Sequence, residues 1–478
     1  MKKSQKITKK MITGSALAIG ILLSSCNSNS IIEPDNNGEN NANDVTVLQG
    51  NISTRTLTAT NKYLVKGQVF VREGQTLTIE PGTVILGEKA SKGTLVIDRG
   101  AKIMAQGTRE RPIIMTSNQA PGDRDKGDWG GLVILGYARV NLVEPAIEGI
   151  TPAVIYGGED DTDNSGVMEY LRVEFAGIEL TANNETNGIT LGGVGNGTKF
   201  ENIQVSYGGD DGIEWFGGSV NGKNMVVFAT WDDCFDIDNG FSGKLQFGLA
   251  IRYPSHADQS ESNGLEWDTD GQNDLSRFKT RAVATNFTVI GPAIDGNSYS
   301  GNFKQSIDLR RNISGSIFNS VFVGYPTAFR FNHQSAANNY LGSTPTGVIE
   351  NNIFYARTTA VAIGSNVSTT TVSDITTYLT DNGNTLRLTD ASADYSALGI
   401  NPNLFFNTRL RTEYQKNPNF AVTTGSITSG ARFTNTKFTE AEAADNWRFD
   451  RTVAYLGAFG TTDWTQGWTN FDPINQVY

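Results

Sequence analysis

SYGGDDGIEWFGG (206–218) recurs at an interval of 22 residues as ATWDDCFDIDNG (229–240). Asp210 and Asp211 become Asp232 and Asp233, and Glu214 becomes Asp236. The strand-like NIQVSY (202–207) before the first copy becomes NMVVFA (224–229) before the second. A repeat of this length suits one coil of a parallel β-helix, in which each coil buries its apolar side only by stacking on its neighbours.

Working outward, the same small-apolar-variable-apolar pattern appears in GITLGG (188–193), NGLEWD (263–268), SIDLRR (306–311), TAFRFN (327–332) and TAVAIG (359–364). Side chains alternate between the faces of a strand, so Ile189, Ile213, Phe235, Leu265, Ile307, Phe329 and Val361 form one expected inward column. Leu191, Trp215, Ile237, Trp267, Leu309, Phe331 and Ile363 form a second. Coils then differ only in their loops, which are expected to be longest near 252–262 and 290–304. Upstream, YLVKGQVFVREGQTLTIEPGTVILGE (63–88), GTLVIDRGAKIMAQG (93–107) and RPIIMTS (111–117) give more short strands closed by glycine-rich turns. A sandwich or propeller would show hairpins without a fixed register between coils. The expected fold is therefore all-β, a right-handed parallel β-helix over 51–370, with its hand taken from the general chirality of strand crossovers.

Residues 371–478 are expected to form long loops, a short helix and an irregular, aromatic-rich C-terminal cap. TEAEAADNW (439–447) carries a capping box with Thr439 as N-cap and Glu442 as its partner. Tyr455, Phe459, Trp464 and Trp468 are expected to plug the open end of the solenoid.

At the other end, five lysines precede an apolar run from Met11 to Leu23 and then Leu23-Ser24-Ser25-Cys26. This is the pattern of an export signal over 1–26, too short for a membrane span. Its last four residues resemble a bacterial lipobox, which implies cleavage before Cys26, diacylation of its thiol and attachment to a membrane. Residues 27–50, rich in Asn, Asp, Glu and Gly, read as a flexible tether. Removing 1–26 takes away five Lys and no acid, so the formal charge moves from −11 to −16. Such a charge makes nucleic acid and anionic lipid surfaces poor partners. With Cys26 lipidated only Cys234 is left, so no intrachain disulfide forms. The 52 Gly, 13 Pro and 19% charged residues suit a turn-rich β protein.

GGDDGIEWFGG, DDCFDIDNGFSGKLQFG, SNGLEWDTDG and GAFGTTDWTQGWTNFDP together resemble a family of β-helix surface lipoproteins of Bacteroidota-type bacteria, often labelled "multidrug transporter". The resemblance spans most of 60–478. It implies a lipid-anchored protein of the outer membrane, at the cell surface or, as the alternative that the sparse acids Glu33 and Asp35 leave open, on the periplasmic face, and no established activity. The architecture is also similar to that of pectate lyases and polygalacturonases, an analogy of fold alone.

The variable position between the inward columns faces outward and reads Thr190, Glu214, Asp236, Glu266, Asp308, Arg330 and Ala362 along the stack. A second outward column reads Phe216, Asp238, Asp268, Arg310 and Asn332. Six carboxylates thus share one face at a coil spacing of about 4.8 Å, where each like-charge contact costs about 1 kcal/mol in water and more when buried. Three readings follow: solvated structural acids, a Ca²⁺ site, or a catalytic acid cluster. The metal candidates are Glu214, Asp236, Asp238, Glu266, Asp268 and Asp308, with DTDGQND (268–274) and EDDTDNSG (159–166) as further oxygen-rich turns. A hydrolase would use Asp210, Asp211, Asp232 or Asp233 as acid and base, and a lyase would use Arg310 or Arg330 as base. The His-Gly and Arg-Ile-Lys motifs of polygalacturonases are absent, and His256 and His333 lie in loop-like sequence. Paired Asp at coil corners can equally accept backbone N–H groups. Phe216 and Trp231, with Arg310 and Arg330, are the ligand-contact candidates.

The expected function is non-catalytic: an outer-membrane lipoprotein that binds a glycan, or docks to a transporter or assembly complex, through one β-helix face. Cleavage of acidic glycans is the second reading, and a purely architectural surface protein the third. No cofactor is required beyond the optional Ca²⁺.

Overall fold

The structure is a computed structural model and describes residues 45–181, 184–407 and 414–478. The export signal, Cys26 and residues 27–44 of the expected tether lie outside the described residues. The strands form a right-handed parallel β-helix of three long faces, and among the described residues every strand pair is parallel except Glu179–Thr181 with Asn184–Glu185.

The first face stacks, among others, Thr94–Ile97, Gly131–Leu135, Ile189–Gly192, Ile213–Phe216, Phe235–Asp238, Leu265–Trp267 and Gln305–Leu309. The register is the one read from the repeat, because a one-residue slip would turn every inward side chain out. Ile213 pairs with Phe235, Phe235 with Leu265, and Leu265 with Ile307. Both inward columns are buried, with one exception: Ile363 is 40% exposed. It sits in the terminal rung of this face, where no further coil covers it.

The bend between the second and third faces holds Asn202, Asn224, Asn286, Asn319 and Asn351 in the left-handed backbone region, with φ between 50° and 60°. Asn adopts this conformation more readily than other side chains. Its amide also links coils: Asn224 Nδ2 donates to Asn202 Oδ1 at 3.0 Å and Asn351 Nδ2 to Asn319 Oδ1 at 2.7 Å.

Several expectations are corrected. The solenoid starts within the expected tether, since Val45–Ile52 already pairs with Lys62–Val71, and continues past residue 370 to Thr385–Leu388. The long loops expected within 371–478 include helices Val372–Asp381 and Ser392–Leu398. The late helix is Thr436–Glu442, capped by Asn435 rather than Thr439, because the Asn435 side chain accepts from the N–H of Lys437. The loop from 136 to 165, between strands Gly131–Leu135 and Gly166–Glu174, is longer than either loop singled out in the sequence.

The aromatic tail does not plug the end. Ile375 and Leu379 of helix Val372–Asp381 join the internal core there instead. The tail runs along the outside of the third face, where Leu456, Phe459, Trp468 and Phe471 pack on outward-facing Phe175, Tyr207, Phe228, Leu249 and Ile251. It reaches the early coils: Arg124 Nη1 donates to the carbonyls of Pro473 and Gln476, and Tyr478 Oη donates to the buried Glu174 carboxylate at 2.6 Å.

Candidate functional site

Parallel in-register stacking places the outward column as expected. Thr190 pairs with Glu214, Glu214 with Asp236, Asp236 with Glu266, Glu266 with Asp308, and Asp308 with Arg330. The column divides into two halves of different electrostatic character.

The later half is neutralised from within. Arg330 donates to Asp308 from Nε at 2.8 Å and from Nη2 at 2.6 Å, and its Nη2 also meets Glu261 at 2.7 Å. Arg310 pairs with Glu266, and Arg311, which the sequence did not single out, donates from Nε to Asp268 at 2.7 Å. Asn263 and Asn332 add amide donors to Glu266 and Asp308. Arg310 and Arg330 are therefore committed to ion pairs, which argues against either as a free base. The oxygen-rich turns are also satisfied internally. Asp270 accepts backbone N–H groups of Gln272 and Asp274, Asp160 accepts from Thr162, and Asp161 pairs with Arg139.

The earlier half has no such relief. Oxygens of Asp210, Asp211 and Asp232 lie within 4.8 Å of one another, as do those of Asp211, Glu214 and Asp236. Asp211 joins the two triplets. Among the described residues no Lys or Arg forms an ion pair with any of these five acids. Burial first, and the neighbouring carboxylates second, raise Glu214, Asp211 and Asp232 well above the ordinary carboxylate range. Asp236 is raised likewise by burial and then by Asp233 and Asp238, with Arg310 opposing. Asp210 is pushed up to about 7 by burial and by Glu185, Asp233 and Asp258. Asp238 is pushed up by burial to about 6, with Arg311 and Arg310 opposing.

The paired aspartates differ in role. Asp211 accepts the backbone N–H of Asp233 at 2.8 Å, Asp233 accepts that of Asn263, and Asn263 Oδ1 accepts that of Gln305 at 3.1 Å. Asp211 and Asp233 therefore hold a buried corner ladder, the structural use expected of them. Asp210 and Asp232 are less buried. Ser260 Oγ donates to one oxygen of Asp232, whereas its Oδ1 is buried and unpartnered. Asp236 Oδ1 is likewise buried without a partner. So is Oδ1 of Asn187, a residue 4% exposed whose Nδ2 donates to Glu214 at 2.5 Å.

Asp210 and Glu214 open into a cleft of about 490 Å³, also lined by Glu148, Glu185, Asn187, Tyr156 and Phe216. The loop 136–165 supplies one wall, and Phe216 meets Tyr156 with ring centroids 6.1 Å apart. Trp231 lies elsewhere: the Lys126 ammonium covers its ring at 3.6 Å and His256 packs against it at 5.3 Å. Its face is taken by protein, so it offers no stacking platform. His256 packs among aromatic rings and its pKa is lowered by burial, and His333 caps helix Gln334–Leu341. Cys234 is fully buried, with burial pushing its thiol up, and accepts a contact from Arg252 Nη1 at 3.1 Å.

Asn187, Tyr156, Glu185 and Arg311 escaped the sequence reading. Only Asn187 carried a signal, at the repeat position of Asp211, Asp233 and Asn263.

These features define a parallel β-helix with a carboxylate-lined cleft on one face. A family model described as a pectate-lyase like beta helix domain matches residues 50–398, and the chain belongs to that family. Among curated proteins none matches it.

Proposed function

We propose that this protein is a non-catalytic, lipid-anchored β-helix protein of the outer membrane that binds an acidic glycan in the cleft beside Glu214, with a divalent cation held by the earlier half of the acidic column. The observation that carries this reading is the set of five crowded carboxylates without an ion-paired base, of which Asp210 and Glu214 open beside two aromatic rings. Ca²⁺ takes six to eight oxygen ligands and tolerates irregular geometry. The oxygens of Asp210, Asp211, Asp232, Glu214 and Asp236, with Asn187 Oδ1 and the unpartnered oxygens of Asp232 and Asp236, fit that chemistry. A bound cation would supply positive charge toward a sugar carboxylate, while Tyr156 and Phe216 offer apolar ring surface of the kind sugars stack on.

The non-catalytic part assigns Asp210 and Asp232 to the cation and rests on the fates of the other candidate catalysts. Arg310 and Arg330 are tied to carboxylates, Asp211 and Asp233 to the backbone, and neither histidine lines the cleft. Attachment through Cys26 rests on the lipobox-like ending of the export signal, and membership of a surface-lipoprotein family on the resemblance carried by GGDDGIEWFGG, DDCFDIDNGFSGKLQFG, SNGLEWDTDG and GAFGTTDWTQGWTNFDP. The test is affinity electrophoresis in gels containing a polyuronate, with and without Ca²⁺. Retardation that depends on Ca²⁺, with no new reducing ends or unsaturated sugars after long incubation, supports the proposal. Release of such products would replace it with a lyase or hydrolase.

A further inference from the structure

A second cavity lies on the other side of the loop 136–165. Leu142 and Glu148 of this loop wall the acidic cleft, whereas Arg139 and Val140 wall a cavity of about 650 Å³ with Phe278, Lys279, Arg281 and Lys437. A cavity of about 290 Å³ adjoins it and shares Arg139, Asp161, Arg281 and Lys437; it adds Lys244 together with the acids Glu440 and Asp445, and Lys244 is held by Asp445 at 2.7 Å. Together they form a groove along the corner that leaves the first face.

The larger cavity is basic on a strongly acidic molecule. Four cations line the larger cavity against two acids, Glu159 and Asp161, and Asp161 is taken by Arg139. Lys437 meets Glu440 at 3.0 Å, and Lys279 has a neutral partner, donating to Asn339 Oδ1 at 2.6 Å. The Arg281 guanidinium has no hydrogen bond or ion pair among the described residues and is drawn only toward Asp161, whose carboxylate Arg139 already holds. Thr346 lines both cavities, and its buried Oγ1 also lacks a partner. Phe278, 48% exposed, presents a ring beside these donors. A guanidinium without a hydrogen-bonded partner, an ammonium bonded only to a neutral amide and an unpaired hydroxyl beside an aromatic ring together match a ring compound bearing an oxyanion.

We infer that this groove is a second binding site, separate from the acidic cleft and independent of any cation, for a sugar carrying a carboxylate or sulfate group. Arg281 and Lys279 take the anion and Phe278 packs on the ring.

The test is calorimetric titration of the protein, in EDTA, with a uronic-acid disaccharide, a sulfated disaccharide and a neutral disaccharide. Binding of either anionic probe, weakening as salt rises and absent for the neutral probe, is expected, and the probe that binds identifies the anion. Arg281→Ala should weaken it about tenfold, the equivalent of one charge-assisted hydrogen bond, and Phe278→Ala should weaken it further. Both side chains are exposed, so the melting temperature should not change. Glu214→Gln should leave this binding intact even if the acidic cleft fails as a site. Equal binding of the neutral probe, no binding of either anionic probe, unchanged affinity in Arg281→Ala, or loss of affinity in Glu214→Gln would each overturn the inference.

Discussion

Asp211 accepts the backbone N–H of Asp233, one coil further on, at 2.8 Å, while its carboxylate also sits within 4.8 Å of oxygens from both acid triplets. One side chain thus holds the coil corner and carries charge into the cluster. Asp211→Ala strands a buried N–H and should lower stability by about 1–3 kcal/mol. Asp211→Asn keeps an acceptor, as Asn263 does at the equivalent position, and removes one charge. In EDTA at neutral pH it should melt at or above the wild-type temperature while losing response to Ca²⁺. Thermal denaturation of both variants checks this, and equal destabilisation by Asn and Ala would count against it.

The raised carboxyls set the sign of the pH dependence. Asp210 and Asp268 are pushed up to about 7, and Asp233 and Asp238 to about 6, from an ordinary 3.8. Between 3.8 and those values the folded state holds protons that the unfolded state has released, so stability falls as pH rises through this window. In EDTA the melting temperature should therefore drop from about pH 4 to pH 7. The drop should be shallower in Asp210→Asn and in wild-type protein with Ca²⁺. A profile that rises over that range and is unaffected by Asp210→Asn would refute it.

The column itself was legible because alternation has a period of two and parallel coils keep register, so a repeat fixes both the face and the vertical neighbours of Glu214, Asp236 and Glu266. The division of that column was not. Arg310, Arg311 and Arg330 neutralise particular acids through side-chain reach, which a repeat does not encode. The loop 136–165 escaped because it has no repeat partner. The tail's course had a signal that was passed over: NMVVFA and FGLAI are apolar at outward as well as inward positions, and a strand apolar on both faces must be covered on both. Trp468 and its neighbours supply that cover.

Trp468 is 1% exposed and packs with Tyr170 and Trp464 over the third face. Trp468→Ala should cost about 3–5 kcal/mol, the range for buried aromatic truncation. Tyr478→Phe leaves the buried Glu174 carboxylate without its hydroxyl donor, and should cost about 1.5–3 kcal/mol. Denaturant melts measure both. If the tail were a loose appendage, neither value would exceed about 0.5 kcal/mol.

Cys234 is enclosed and its thiol is held protonated by burial, despite the Arg252 guanidinium beside it. Native protein should resist alkylation by a thiol reagent, and the same reagent should label Cys234 once the chain is unfolded. Rapid labelling under native conditions would mean that the corner at 231–234 opens, and with it the Asp232 site.

Isothermal titration of Ca²⁺ into wild-type protein, Glu214→Gln and Asp236→Asn tests the central claim most directly. The account predicts saturable binding and a higher melting temperature for wild-type protein, with affinity falling at least about tenfold when either charged ligand is removed. No heat and no thermal shift in wild-type protein, or undiminished binding in both variants, would contradict it.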